Sequence, residues 1–252
     1  MDRWVKKCAI VTGAASGIGK AITIALLEKG VNVLALDVKT EGLSSLSHQV
    51  KLGPSTKLHV MPCDVTNQDH LDQAFQYAES TWNGVDIMVN NAGVFDNTRV
   101  IESDRATFER LLNINVLANA VCTNRAVRSM RQRNIEGHIF NINSVLGREI
   151  PSSYLLEKDG WNLYPACKHG TVALTHTVRR ELAAIKAPIR ITGINPGFVD
   201  TNIGSHVPRL VEAFKNIPTL RPEDVADAVI YALSTRPEVQ ITELTIQRTG
   251  EV

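Results

Sequence analysis

Two tyrosine and lysine pairs, Tyr154 with Lys158 and Tyr164 with Lys168, have the four-residue spacing that puts both side chains on one face of a helix. A phenol, with an ordinary pKa of about 10, is a poor proton acceptor at neutral pH. An ammonium held within a few ångströms favours its anion, so such a pair suits taking the proton from a hydroxyl or returning it to a carbonyl oxygen. Lys158 is followed by Asp159-Gly160, which reads as a turn, whereas Lys168 leads into a helical stretch reaching Lys186. Pro165 suits the first turn of that helix, where no N–H is needed. Tyr164 and Lys168 are therefore the candidate pair, at the start of a helix and facing the strand ends.

The second segment with chemical potential is Thr12-Gly13-Ala14-Ala15-Ser16-Gly17-Ile18-Gly19, between an apolar run and a stretch of helical period. Small residues there let the backbone approach a pyrophosphate, and a helix N-terminus supplies oriented N–H groups with a partial positive charge. The next apolar run ends in Leu36-Asp37. A carboxylate at that distance from the glycines can accept hydrogen bonds from ribose hydroxyls and would repel a ribose phosphate. These residues favour NAD over NADP, with Lys39 able to offset part of the repulsion; the plainer alternative for Asp37 is a loop acid or helix cap.

Strand-length apolar runs occur at Ala9–Val11, Val31–Leu36, Leu58–Pro62, Ile87–Val89, His138–Ile142, Ile189–Ile194 and Leu244–Gln247. Helical stretches fall between them near Gly17–Lys29, Thr40–Val50, Gln68–Trp82, Arg105–Arg133, Pro165–Lys186 and Pro222–Leu233. This alternation predicts an α/β fold, a doubly wound parallel sheet of about seven strands with helices on both faces (a Rossmann fold) and a ligand at the strands' carboxyl ends. Residues 147–163 and 202–220 lack periodicity and follow strands on that side, as substrate loops do.

Composition narrows the classes of function. With 44% apolar and 21% charged residues, the 252-residue chain suits a single domain spanning 1–252. Lys and Arg number 27 against 26 Asp and Glu, and that near balance offers no basic stripe to neutralise a phosphate backbone, so nucleic-acid binding is disfavoured. Cys8, Cys63, Cys122 and Cys167 form no C-x-x-C pair, and His138, His169 and His176 lack metal-ligand spacing, so no metal is expected and the histidines read as solvated or capping. Met1–Lys7 is too short and polar for a signal peptide, no apolar run approaches a membrane span, and a cytoplasmic protein is expected.

Gly13, Gly17 and Gly19 follow the spacing Gly-x-x-x-Gly-x-Gly, and from about residue 5 to the last strand the chain resembles the short-chain dehydrogenase/reductase family. Cys63-Asp64-Val65 is similar to that family's adenine-side turn, with Asp64 facing the adenine amino group. Asn90-Asn91-Ala92-Gly93 is similar to the segment that steadies the sheet beside the cofactor. Asn115, in Asn113-Ile114-Asn115-Val116, resembles the helix asparagine that holds a water of the proton relay. Ser144 matches the catalytic serine after the fifth strand, and Tyr164 with Lys168 matches the Tyr-x-x-x-Lys pair. Asn195-Pro196-Gly197 with Thr201 resembles the segment closing over the nicotinamide. Met1-Asp2-Arg3-Trp4 and Ile241–Gly250 look like an insect branch that includes farnesol dehydrogenase-like enzymes and is associated with NADP; Asp37 stands where that branch has a basic residue.

The resemblance implies an oxidoreductase moving a hydride between NAD(H) and a small alcohol or carbonyl compound. Its catalytic set would be Ser144 donating to the substrate oxygen, Tyr164 exchanging the proton, Lys168 reaching the cofactor ribose, and Asn115 linking Lys168 to solvent through water. Cofactor contacts would come from Gly13, Ser16, Gly17, Ile18 and Gly19, from Asp37, Asp64 and Val65, and from Asn91, Ala92 and Gly93. Tyr164 and Lys168, then Pro196, Gly197, Val199 and Thr201, would complete them. The helices near Arg105–Arg133 and Pro165–Lys186 form the family's four-helix contact, which implies a homodimer or homotetramer. Nineteen residues separate Ser144 from Tyr164, more than is typical of the family. Tyr154, Leu155, Leu156, Trp161 and Leu163 there, with Phe198, Ile203, Val207 and Leu210 across the cleft, would suit an isoprenoid, steroid-like or lipid alcohol. The alternative is that they pack on the protein's own core or on a subunit. Competing functions are an NADPH-dependent carbonyl reductase with the same apparatus and a non-catalytic dinucleotide-binding scaffold or sensor, which the intact residue set argues against.

Overall fold

The computed structural model describes residues 1–50, 53, 56–150, 160–205, 207–208, 211–212 and 219–251. The short apolar runs form seven strands, β1 Cys8–Thr12, β2 Asn32–Asp37, β3 Leu58–Pro62, β4 Ile87–Asn90, β5 Gly137–Ile142, β6 Ile189–Pro196 and β7 Glu243–Ile246. β1, β4, β5 and β6 are buried along their whole length, which is why they read as continuous apolar runs rather than as alternation. The strands make one sheet in the order β3-β2-β1-β4-β5-β6-β7, every pairing parallel, with Ala9 of β1 level with Val33 on one side and Ile87 on the other. Strand order reverses between β1 and β4, and at such a switch the connections diverge to opposite faces and leave a crevice at the carboxyl ends.

Helices α1 Gly17–Glu28, α2 Thr40–Gln49, α3 Gln68–Trp82, α4 Arg105–Leu112, α5 Ala118–Gln132, α6 Tyr164–Ala184 and α7 Pro222–Ser234 flank the sheet. Successive strand side chains point to opposite faces. Ala9 and Val11 therefore join Ile22 and Leu26 of α1 and Val229 of α7 in one core, while Cys8 and Ile10 join Leu71 of α3 and Cys122 and Met130 of α5 in the other. Trp4 locks the amino-terminal turn onto α7 by donating its indole N–H to the Leu233 carbonyl at 3.0 Å.

Two expectations are corrected. The single helix expected over Arg105–Arg133 is divided, with α4 and α5 joined by a π turn at Asn113–Leu117. Such a turn is a single-turn feature inside an otherwise regular helix, and here it accompanies the burial of Asn115. His138 is neither solvated nor capping: it is fully buried in β5, with Nε2 2.8 Å from Thr192 Oγ1. Thr192 spends its own proton on the Ile241 carbonyl at 2.7 Å, so His138 donates through Nε2. Burial keeps that ring neutral, holding its pKa well below the usual 6.5. His169 and His176 are different, since His169 Nδ1 lies 2.9 Å from the Pro165 carbonyl of its own helix and His176 faces Glu243 at 3.2 Å.

Candidate active site

β1 ends at Thr12, and the chain must reverse into α1 within a few residues. Gly13 and Gly17 make the reversal in the left-handed region, at φ 66° and 52°. Gly19 is required for another reason, because a Cβ there would lie 2.2 Å from the Gly13 carbonyl oxygen. The turn is sewn to β4: Asn91 Nδ2 donates to the Thr12 and Gly13 carbonyls at 2.9 and 3.1 Å, and Thr12 Oγ1 accepts the Asn91 and Ala92 N–H groups, both at 3.0 Å. Thr12 is a positioning residue that the sequence did not reveal, since only the adjacency of β1 and β4 gives its hydroxyl those partners.

Asp37, at the end of β2, accepts the Ala15 N–H on one carboxylate oxygen and the Lys39 N–H on the other, each at 2.9 Å. It therefore braces the glycine-rich turn, and each oxygen keeps acceptor capacity for a ribose hydroxyl. Asp64 accepts from Thr66 through one oxygen, at 2.8 Å from its N and 2.7 Å from its Oγ1, and those bonds hold its carboxyl below the usual range.

These elements surround a cleft of about 620 Å³, within the range of small-molecule and cofactor sites. Gly13, Ser16, Gly17 and Ile18 line one part, with Asp37, Asp64 and Val65. Asn91, Ala92 and Gly93 continue the wall to Ile142, Asn143, Tyr164 and Lys168, and Thr201 closes in from the loop after β6. The residues present thus fit a dinucleotide: the backbone is bare where a Cβ would fill the cradle, and the start of α1 opens into it.

At the other end, α6 delivers Tyr164 and Lys168 on its first turn, with Pro165 where its missing N–H costs nothing. Lys168 is buried; its Nζ donates to the Ile142 carbonyl at 3.0 Å and stands 5.3 Å from the Tyr164 ring centroid. Burial lowers its pKa to about 8 and pushes the Tyr164 phenol up. Ser144 does not itself line the cleft but follows the lining residues Ile142 and Asn143; its Oγ accepts the Leu146 N–H at 3.1 Å, which leaves its proton available to donate. Asn115 faces elsewhere. Its side chain accepts the Val94 N–H and donates to the Val94 carbonyl, both at 3.0 Å, so its amide is committed to the loop after β4.

Some expected contacts are not brought to the cleft wall. Gly19 packs beneath the turn, Val199 bridges to Leu220, Pro196 pairs with Ile246 of β7, and Gly197 packs against the Glu251 carboxylate, which also accepts the Phe198 N–H at 2.9 Å. Tyr154 and Lys158, together with Leu155, Leu156 and Leu210, fall outside the described residues. Of the apolar lid, Trp161 meets Phe95 edge-on at 5.6 Å, Phe95 meets Tyr164 likewise at 5.6 Å, and Val207 completes the cluster. Phe95 was missed, although an aromatic residue two positions past Asn-Asn-Ala-Gly was a readable signal.

Comparison with known proteins follows the same lines. Residues 7–209 match the short chain dehydrogenase family. The whole chain is 39% identical over 256 residues to farnesol dehydrogenase from Aedes aegypti, of which 99% is covered. It is 36% identical over 259 residues to dehydrogenase/reductase SDR family member 11 from Mus musculus, covering all of this chain and 98% of that one. The closed form of serine dehydrogenase complexed with NADP+ superposes with a TM-score of 0.85 at 26% identity, over 97% of this chain and 96% of that one. A parallel sheet with a glycine-bare cradle at its switch point, the family match over most of the length and these full-length relatives lead to one conclusion: the chain is an oxidoreductase and belongs to the short-chain dehydrogenase/reductase family.

Proposed function

We propose that this oxidoreductase interconverts an apolar alcohol and its carbonyl compound with NAD(H), using Tyr164 as the proton-transfer group. The observation that carries the reading is that Tyr164 and Lys168 open into the same cleft as the glycine-rich turn and Asp37. A bound nicotinamide supplies the hydride acceptor or donor. Ser144 donates a hydrogen bond to the substrate oxygen and steadies its developing charge. Tyr164 takes the alcohol's proton, or returns it to the carbonyl oxygen, and the Lys168 ammonium stabilises the phenolate that carries the negative charge in between. Because the Asn115 side chain is committed to Val94, a water link from Lys168 to solvent is held by groups other than that amide.

Phe95 and Trp161 beside Tyr164, with Val207, favour an isoprenoid-like or other lipid substrate over a sugar or acid. Asp37 favours NAD. A specific observation keeps NADPH-dependent carbonyl reduction as the second reading, namely that Lys39 lines the cleft next to Asp37 and can meet a ribose phosphate. The four buried free cysteines suit a reducing compartment such as the cytosol. Exposed Leu112 and Leu117, on α4 and the π turn, suit a homodimer or homotetramer.

Purified protein given NAD or NADP and a panel of alcohols, read by absorbance of the reduced nicotinamide, tests the reading. Turnover of apolar alcohols with NAD is expected, and Tyr164→Phe should lower it by about a thousandfold while dinucleotide affinity stays within about twofold. Full activity in that variant would remove Tyr164 from its role. Preference for NADPH would transfer the assignment to the second reading, and dinucleotide binding with no turnover on any alcohol or carbonyl would leave only a sensor or scaffold.

A further inference from the structure

The helix that carries Tyr164 and Lys168 begins without a side-chain cap, because its N-cap residue is Leu163. Asn162, one residue earlier, is 7% exposed and adopts the left-handed region at φ 45°, which asparagine tolerates better than most side chains. Its Oδ1 accepts the Leu163 N–H at 2.8 Å. Its Nδ2 donates to Thr98 Oγ1 at 2.7 Å and to Ser103 Oγ at 2.9 Å, with Asp96 Oδ1 at 3.5 Å. Asp96 in turn accepts the Thr98 N–H at 3.0 Å and pairs with Arg110 of α4 at 2.7 Å. Phe95, next to Asp96, packs edge-on against the Tyr164 ring. One buried amide therefore ties the first turn of α6 to the loop after β4 that walls the reacting end of the cleft.

We propose that Asn162 is a positioning residue, its amide clasping the start of α6 to the 96–103 loop and so fixing where the Tyr164 hydroxyl meets the substrate. This rests on Tyr164 as the proton-transfer group. Asn162 does not line the cleft and acts through Tyr164, two residues on. A displacement of about 1 Å at the reacting atoms is enough to cost about a hundredfold in rate, whereas the hydrogen bonds of the Asn162 amide reach Leu163, Thr98, Ser103 and Asp96 and not the glycine-rich turn that would hold the dinucleotide.

Asn162→Asp separates the donor bonds from the shape. The aspartate keeps the outline and the acceptor for the Leu163 N–H, but when ionised it cannot donate to Thr98, whose own proton goes to Asp96, and it sets a second carboxylate beside Asp96. Among the described residues, the charged groups around it are Asp96, Arg110 paired with Asp96, and the Arg99 and Glu102 pair on the same loop. A carboxylate set against Asp96 is driven to share a proton as pH falls, and the protonated form regains a donor. At about pH 8, kcat is expected to fall about tenfold to a hundredfold with dinucleotide affinity within about twofold of the parent, and the deficit should shrink as pH is lowered towards about 5. Asn162→Gly keeps the left-handed backbone without strain and lacks the amide, so it should be slow at both pH values; it serves also if the aspartate variant folds poorly. An unchanged kcat in either variant overturns the proposal, as does an aspartate deficit that ignores pH or one matched by lost dinucleotide affinity. If Tyr164→Phe abolishes turnover while Asn162→Asp does not, only the clasp fails; if Tyr164→Phe remains active, the functional reading fails with it.

Discussion

Burial acts on Tyr164 and Lys168 in opposite senses, because a dry site disfavours the charged form of each: the phenol is pushed up and the ammonium is drawn down to about 8. At an effective dielectric of about 20, unit charges about 5 Å apart attract by about 3 kcal/mol, roughly a hundredfold in phenol acidity. Lys168 Nζ stands 5.3 Å from the Tyr164 ring centroid, on the side of the pair where an ammonium favours the phenolate while the lysine holds its proton. Below about 8 the pair is a phenol and an ammonium, the state that the proposed carbonyl reduction requires. Carbonyl reduction is therefore expected to hold steady up to about pH 8 and to decline above it with the slope of one proton. Lys168→Met should be slower by about a hundredfold or more and show no inflection there. Profiles of kcat/KM against pH for the two proteins check this, and an inflection that survives in the methionine variant would assign the titration to another group.

At the scale of elements, the burial of β5 carries a stability consequence that can be measured. His138 on that strand stays neutral in the fold, its pKa held well below 6.5, whereas in the unfolded chain it takes up a proton near that value. The unfolded state binds more protons below about 6.5, so the contribution to stability is complete above that pH and is lost progressively as pH falls towards the folded value. One proton accounts for at most about 1.4 kcal/mol per pH unit. His138→Gln, which keeps a donor for Thr192, should lose less stability than the parent between about pH 7 and about pH 5, as read by urea midpoints. Equal losses would exclude His138 as the group. The helix between β4 and β5 carries the other lesson at this scale. Its apolar spacing runs through Asn113–Leu117 without a break, and what distinguishes the π turn is the two-bond seat that Val94 offers the Asn115 side chain from another part of the chain.

For the whole molecule, a single seven-stranded sheet divides two apolar cores and leaves its carboxyl edge for the cleft. No helix among the described residues is long and apolar enough to cross a membrane. Leu112 and Leu117 nevertheless remain 43% and 56% exposed, and burying such side chains against a second copy recovers about 25 cal/mol for each Å² of apolar surface removed from water. Sedimentation at micromolar concentration is expected to give a dimer or tetramer, and Leu117→Asp to shift it towards monomer. A parent protein that sediments as a monomer would leave these leucines as isolated surface residues.

The features that the sequence alone determined are those written locally along the chain. Strand length and apolar continuity located all seven strands, glycines at fixed spacing between a strand and a helix located the cradle, and Pro165 with the long helical stretch marked Tyr164 and Lys168 as the start of α6. Each depends on backbone preference or side-chain period, which neighbouring residues encode by themselves. What only the tertiary structure decided is which distant groups those residues meet. Thr12 reaches the N–H groups after β4, Asp37 braces Ala15, Asn115 turns to Val94, His138 finds Thr192, and Asn162 spans to Thr98 and Ser103. A hydrogen bond needs partners within about 3 Å, and for these residues that distance is set by the order of strands in the sheet and the packing of loops upon it, which no local stretch of sequence contains.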